Sequence, residues 1–398
     1  MPNLANNLVD KLANKLVQTA GQSPALHHAL QAQLAQAGGW LAFDDFMHAA
    51  LYTPGLGYYA HGSQKLGSLP PRRAADGTPI AGSDFVTAPE LSPLFGACVG
   101  QQVAQALLAT GTRCVLEVGA GSGALALQIC ELLVQQNLGL EHYFILEVSS
   151  SLRARQQATL AHLGSRVQWL DTLPAQFEGV VVGNEVLDAM PVKLLQRSAG
   201  VWHERGVVAS ENSCADHGAQ AWAWQDRPTA LRPGLDIAGP HDYLTEIHPQ
   251  AEAFVSTLAS HLARGAAFFI DYGFPDSEYY HPQRHMGTLM CHYQHQADPD
   301  PLHLVGEKDI TAHVNFSGIA LAGQNAGLDV LGYATQGRFL INCGLLPMLE
   351  QLSPLQRVHT AKLVNEHEMG ELFKVIAFGK GADFEPMGFA TGDRTHTL

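Results

Sequence analysis

Glu117-Val118-Gly119-Ala120-Gly121-Ser122-Gly123 is the stretch on which the reading of this chain turns. It follows an apolar run at 113–118 (RCVLEV) that reads as a buried parallel strand. It precedes 124–134 (ALALQICELLV), whose apolar stripe reads as a helix. Glycines at such a strand-to-helix crossing let a ligand touch backbone. The helix N-terminus adds unpaired N–H groups and a partial positive charge. Gly119, Gly121 and Ala124 also satisfy the dinucleotide pattern G-x-G-x-x-G/A, so on the glycines alone a dinucleotide and a bare structural turn both stay open.

The acid two residues before the first glycine narrows the choice. Glu117 can face the cationic methionine end of S-adenosylmethionine (SAM), whereas it would repel a pyrophosphate. The next apolar run, 142–146, ends in Glu147, a carboxylate able to accept both ribose hydroxyls of an adenosine. NAD would use a similar acid. Asp171, at the end of the run 166–170, could accept the adenine amino group, or it could equally serve as a turn or cap residue before Pro174. Ala120, Gly123, Val148, Ser149 and Thr172 flank these positions and join the candidate cofactor set. Asp84, Phe85 and Thr87 join it from a Gly- and Pro-rich loop that spans about 52–93.

Working outward, strand and helix patterns alternate: strand 142–146, helix 150–163, strand 166–170, strand 179–182, helix 248–262, strand 266–272, and later apolar runs at 328–334 and 373–378. Repeated β-α units specify a doubly wound, mostly parallel α/β sheet, here of about seven strands. Residues 1–50 carry two amphipathic helical patterns, LVDKLANKLV and ALHHALQAQLAQ. Residues 191–245 change to short strand-like pieces that read as an insertion above the carboxyl edge of the sheet. The expected division is 1–95 for N-terminal helices and a cofactor-covering loop, and 96–398 for the core, with 191–245 as a substrate-side subdomain or lid.

Gly183-Asn184-Glu185-Val186-Leu187-Asp188 follows the apolar run GVVV, which puts Asn184 beside the cofactor and Glu185 and Asp188 toward the nucleophile. Methyl transfer from a sulfonium needs alignment more than covalent help. A guanidinium acceptor additionally needs carboxylates that pair with its N–H fork and take the lost proton. Glu185 and Asp188 are the candidate catalytic pair, with Asp188 alternatively an N-cap for a helix starting near Ala189.

The 398 residues exceed the usual single core, and 46% hydrophobic residues suffice to fill one. A net charge of −14 disfavours binding to the phosphate backbone of DNA or RNA and suits a neutral or basic partner, such as an arginine-bearing protein segment. Six scattered cysteines without a C-x-x-C pair fit a reducing compartment. No stretch approaches the roughly 20 apolar residues of a membrane span, and the start of the chain has neither a signal-peptide core nor an Arg-rich transit pattern. A cytosolic location is expected.

The runs EVGAGSGALA, YFILEVSSSLRARQ and GNEVLDAMPVK resemble the MidA family of SAM-dependent methyltransferases. So do FMHAALYTPGLGYY, GSDFVTAPELSPLFG, FFIDYGFPDSEYYHPQRHMGTLMCHYQH, DITAHVNFSGIA and MGELFKVIAFG, which extend the likeness over nearly the whole chain. The resemblance implies a class I methyltransferase fold with extra N-terminal helices and an inserted lid, SAM as cofactor and S-adenosylhomocysteine as product. It implies dimethylation of an arginine in a protein substrate, in mitochondrial members a subunit of a respiratory complex. The loop reads Gly82-Ser83-Asp84 where family members commonly have Gly-Asp-Phe, a small insertion compatible with cofactor binding. A rival metal site could be built from His281, His285, His292 and His295 with Cys291, but Pro282 and Gly287 break a continuous helix there, so no metal is expected. Asp309 and His313 could form an acid/base pair, but Asp309 reads better as a helix N-cap.

Overall fold

The computed structural model describes residues 24–60, 87–210, 222–293, 296–381 and 383–398, together with the short strands 72–73 and 79–80. The apolar runs assemble into one central sheet, whose strands are numbered here along the chain: β1 Cys114–Val118, β2 His142–Leu146, β3 Val167–Leu170, β4 Phe177–Asn184, β5 Leu262–Phe274, β6 Asp329–Thr335 and β7 Phe373–Lys380. Their spatial order is β3-β2-β1-β4-β5-β7-β6. In that order the strands from β3 across to β5 run parallel, with one register shift between Leu262 and Arg264 of β5, and β7 enters antiparallel between β5 and β6. An eighth short strand, Val314–Asn315, pairs with the carboxyl end of β5.

The alternation of a strand explains why the runs are apolar throughout. Val180 and Val182 of β4 enter one core with Phe95, Val99, Leu125 and Ile129, from helices Pro93–Thr110 and Ala124–Gln135. Val181 enters the opposite core with Val255, Leu258, Phe316 and Ile319, from helices Pro249–His261 and Phe316–Asn325. The helix expected over 150–163 stops at Thr159 and is followed by a 3₁₀ turn, Ala161–Arg166, in which Gly164 takes φ 61°.

The expected insertion forms an antiparallel sheet of Lys193–Ser198, Val201–Ala209, Trp222–Pro228 and Tyr243–Ile247, so it runs slightly past residue 245. Leu41–Ala42 of the N-terminal segment adds to its edge. Leu26, Leu30 and Leu34 of helix Pro24–Gln36 and Phe43, Phe46 and Met47 of helix Phe43–Tyr52 share a third core with Val192, Leu194, Val207 and Trp222. N-terminal segment and insertion therefore fold as one layer, and helix Pro93–Thr110 straddles the expected 95/96 boundary. The amphipathic pattern at 8–17 lies outside the described residues. Within the expected long loop, strands Arg72–Arg73 and Pro79–Ile80 pair and helix Ala88–Leu91 forms. A second insertion, unforeseen in the sequence, holds helix Asp276–Tyr279 and a three-stranded sheet of Met290–Tyr293, Gln296–Asp298 and Asp309–Thr311.

Candidate functional site

The glycine turn after β1 is built from residues that only glycine fills without strain. Gly119, Gly121 and Gly123 take φ of 63°, 52° and 84°, and Gly123 begins helix Ala124–Gln135. A Cβ on Gly119 would press on Val186 at 3.2 Å, whereas one on Gly121 would project into open space. The amide of Gly119 donates to Leu146 O at 3.1 Å. Gln156 Nε2 and Thr159 Oγ1, both from helix Ser150–Thr159, donate to Gly121 O and Ser122 O at 3.0 Å each. The turn is thus fastened to the elements on its β2 side and open toward β4.

Two acids rise beside it. Glu117 is 2% exposed and accepts a 2.7 Å bond from Tyr143 Oη. Burial pushes its pKa up to about 7 against the pull of that bond. Glu147 accepts from Ser149 N and from Gln156 Nε2 at 2.8 Å each; burial raises its pKa while these donors draw it back. Glu117, Gly119, Ala120, Gly121, Glu147, the exposed Val148, Asn184, Glu185, Asp188 and Thr87 all line one cavity of about 220 Å³. Gly123 and Ser149 stand behind that wall, Ser149 capping helix Ser150–Thr159 through the 3.4 Å bond from Leu152 N.

Asp171 and Thr172 do not line it. Arg153, held by Glu147 O and Leu170 O at 3.0 and 3.2 Å, donates to Asp171 Oδ1 at 2.6 Å, and the Asp171 carboxylate stays 85% exposed. A neighbouring guanidinium thus holds one oxygen of Asp171, and its side chain lies outside the cavity lining. Asp84 and Phe85 lie outside the described residues.

The turn after β4 holds the acids expected to face the nucleophile. No helix begins at Ala189, so the capping role for Asp188 is not realised. Instead Asp271, at the carboxyl end of β5, accepts through one oxygen from the amides of Val186, Leu187 and Asp188 at 3.1, 2.9 and 3.2 Å. Glu185 takes a φ of 53° and accepts from Asn184 Nδ2 at 3.1 Å. Tyr272 Oη donates to Asp188 Oδ2 at 2.6 Å, while Asp188 Oδ1 and Asn184 Oδ1 are buried without partners. Burial first, then repulsion from Asp188, pushes Glu185 up to about 8. Asp188 rises to about 6 by burial, with the Tyr272 bond pulling it down.

Sequence reasoning missed Asp271, Tyr272, Tyr52 and Tyr59 here, and it set Asp309 aside as a helix cap. Tyr52 and Tyr59 stack at 5.6 Å and line the cavity from the N-terminal layer. Asp309 lines it too, opening strand Asp309–Thr311 rather than capping a helix. The repeated aromatics in LYTPGLGYY were the available signal for Tyr52 and Tyr59, and nothing local marked Asp271. His281 and His285 are exposed, Cys291 is buried in the third core, and His295 lies outside the described residues. Among the described residues no three His, Cys, Asp or Glu side chains gather as metal ligands. His313 is pushed down to about 4, mainly by burial.

Fold and site together define a class I methyltransferase. A family model for S-adenosyl-L-methionine-dependent methyltransferases matches residues 98–334, and the chain belongs to that family. The crystal structure of a Burkholderia thailandensis protein bound to S-adenosyl-homocysteine is 51% identical, with a TM-score of 0.85 over 95% of this chain and 97% of that one. Among curated relatives, the Danio rerio "Protein arginine methyltransferase NDUFAF7, mitochondrial" is 27% identical over 86% of this chain and 84% of its own length. The Homo sapiens protein of that name is 25% identical over 89% and 83%. These relatives overturn the cytosolic expectation, since both are named as mitochondrial and cysteine usage alone does not separate reducing compartments. Among the described residues no helix is long and apolar enough to cross a membrane.

Proposed function

We propose that this SAM-dependent methyltransferase methylates the guanidinium of an arginine in a partner protein. The observation that carries the reading is the pair of carboxyls, half-buried Glu185 and buried Asp188, lining one cavity with the glycine turn. The arginine specificity named for the curated relatives supports it.

The residues present fit SAM. Glu117 would meet the ammonium of its methionine end, the backbone of Gly119, Ala120 and Gly121 would run along the ligand, and Glu147 would take the ribose hydroxyls. Val148 and Thr87 would flank it, and Gly123 and Ser149 would hold the wall. The unpartnered Asn184 Oδ1 and the open space over Gly121 are what a ligand there would use. Bound there, SAM supplies an electrophilic methyl on a sulfonium whose departure leaves a neutral thioether.

Asp188, with its lower pKa, is the acid ionised at neutral pH, and its unpartnered Oδ1 can pair with a guanidinium N–H. The arriving cation lowers the pKa of Glu185, which sheds its proton and becomes a second acceptor for the N–H fork. The two carboxylates would hold the guanidinium by its N–H fork beside the glycine turn. Glu185 or Asp188 would take the proton that the methylated nitrogen loses.

The partner class we favour is a respiratory-complex subunit, on the strength of the family resemblance. In the same reading, 1–95 covers the cofactor and 191–245 forms the substrate side of the site. The test is incubation of the protein with methyl-labelled SAM and a respiratory-membrane extract, then hydrolysis and amino-acid analysis. Labelled methylarginine formed by the native protein and absent with Glu185→Gln supports the reading. Label on other acceptors only, or none at all, sinks it.

A further inference from the structure

Tyr59 touches both ends of the cavity. Its carbonyl accepts from Ser149 Oγ at 2.6 Å, next to Glu147, and its hydroxyl donates to Asp309 Oδ1 at 2.8 Å. Tyr52, stacked on its ring, donates to Ala189 O at 2.9 Å, next to Asp188. The N-terminal layer is thereby pinned to the cofactor side and to the acceptor side at once.

Asp309 is 1% exposed, comes from the second insertion, and lines the same cavity as Glu185 and Asp188. The Tyr59 hydroxyl fixes the orientation of the Asp309 carboxylate. Glu185, Asp188 and Asp309 share the acceptor end of the cavity, and the Asp309 charge is among those that push up Glu185, Tyr52 and Tyr59. A neutral occupant leaves that repulsion in place, whereas a single cation relieves it.

We infer that Asp309, oriented by Tyr59, is a specificity residue that selects a cationic acceptor side chain, so that the N-terminal layer and the second insertion together complete the acceptor end of the site. This rests on the arginine reading above. Its chemistry needs only a planar or compact monocation that fits beside the two catalytic acids.

The test measures binding of Nα-acetyl-arginine amide and of the neutral, similarly shaped Nα-acetyl-citrulline amide to protein saturated with S-adenosylhomocysteine, followed by NMR titration. The native protein should prefer the arginine probe by at least about tenfold, as expected for a close charge pair in a desolvated site. Asp309→Asn and Tyr59→Phe should each cut the preference at least about threefold, leaving the part that Glu185 and Asp188 supply, with S-adenosylhomocysteine affinity held within about twofold, an affinity that also certifies folding. Native preference retained in both variants would overturn the inference and leave the arginine reading standing. No preference in the native protein would overturn that reading and the inference with it. Tyr59→Phe keeps the ring stack and the main-chain bond to Ser149, so a loss of preference there cannot come from collapse of the roof.

Discussion

Tyr272 Oη lies 2.6 Å from Asp188 Oδ2, a phenol clamped on one oxygen of a carboxylate whose other oxygen is buried with no partner. The bond fixes the carboxylate's rotation and favours its ionised form. Removing the hydroxyl in Tyr272→Phe leaves the ring contacts to Phe373 and His313 available. The pKa of Asp188 should climb above about 6, and methyl transfer at pH 7 should fall about tenfold, the size of a charged hydrogen bond. KM for SAM should hold. Rate profiles from pH 6 to 9 check this, because the deficit should shrink toward the alkaline end.

Asp271 gathers three consecutive amides on one oxygen, which makes it the peg of the turn that carries both catalytic acids. Asp271→Ala strands three buried or half-buried donors. Each unsatisfied group costs about 1–3 kcal/mol, so the variant should lose roughly 3 kcal/mol or more. Urea unfolding measures the loss, and an unchanged midpoint would refute the peg.

At Gly121 an added methyl group meets no protein atom, so Gly121→Ala carries only the backbone strain of a positive φ, about 1 kcal/mol. It should nonetheless weaken SAM at least about tenfold, because the space is the ligand's. Glu147→Ala should do the same by removing the ribose acceptor. Calorimetric titration with SAM, S-adenosylhomocysteine and NAD checks both, and undiminished affinity in either variant would remove that residue from the pocket.

Acids with raised pKa values, Glu185, Glu117 and Asp188 among them, make the ligand-free protein sensitive to alkali. Glu185 is raised from 4.5 to about 8, Glu117 from 4.5 to about 7 and Asp188 from 3.8 to about 6. A raised pKa means that the folded state keeps protons the unfolded chain has released. The stability linked to them is therefore complete below about pH 4 and drains away as pH climbs through the folded values. Each proton contributes a slope of about 1.4 kcal/mol per pH unit. Glu185→Gln should remove about one such slope between about pH 4.5 and 8. Parallel stability curves for native protein and variant, measured by denaturant titration at several pH values, would contradict it.

Local signals made the central sheet legible. Val180 to Val182 could only be a doubly buried strand, and the glycine run after β1 could only be a crossing. Glu117, Glu147, Asn184, Glu185 and Asp188 followed because strand ends converge on such a crossing. Residues delivered by distant segments were illegible: Asp309 meets Tyr59 across 250 positions, and Asp271 meets the β4 turn across 83 to 85. The partner of Asp171 was hidden for a related reason, since Arg153, 18 positions away on the neighbouring helix, donates to its carboxylate.

At the amino end of the β4–β5 ladder, Gly265 faces Gly179 so closely that a Cβ on Gly265 would lie 1.8 Å from Gly179 O, and five rungs on, Ile270 faces Asn184. The paired glycines act as the zero mark of a ruler: sliding either strand by one step drives a side chain into the opposing backbone. Asp271 is the next graduation after Ile270, so the reach of its carboxylate to the amides that hold Glu185 and Asp188 is measured out from the far end of the sheet, where no ligand touches.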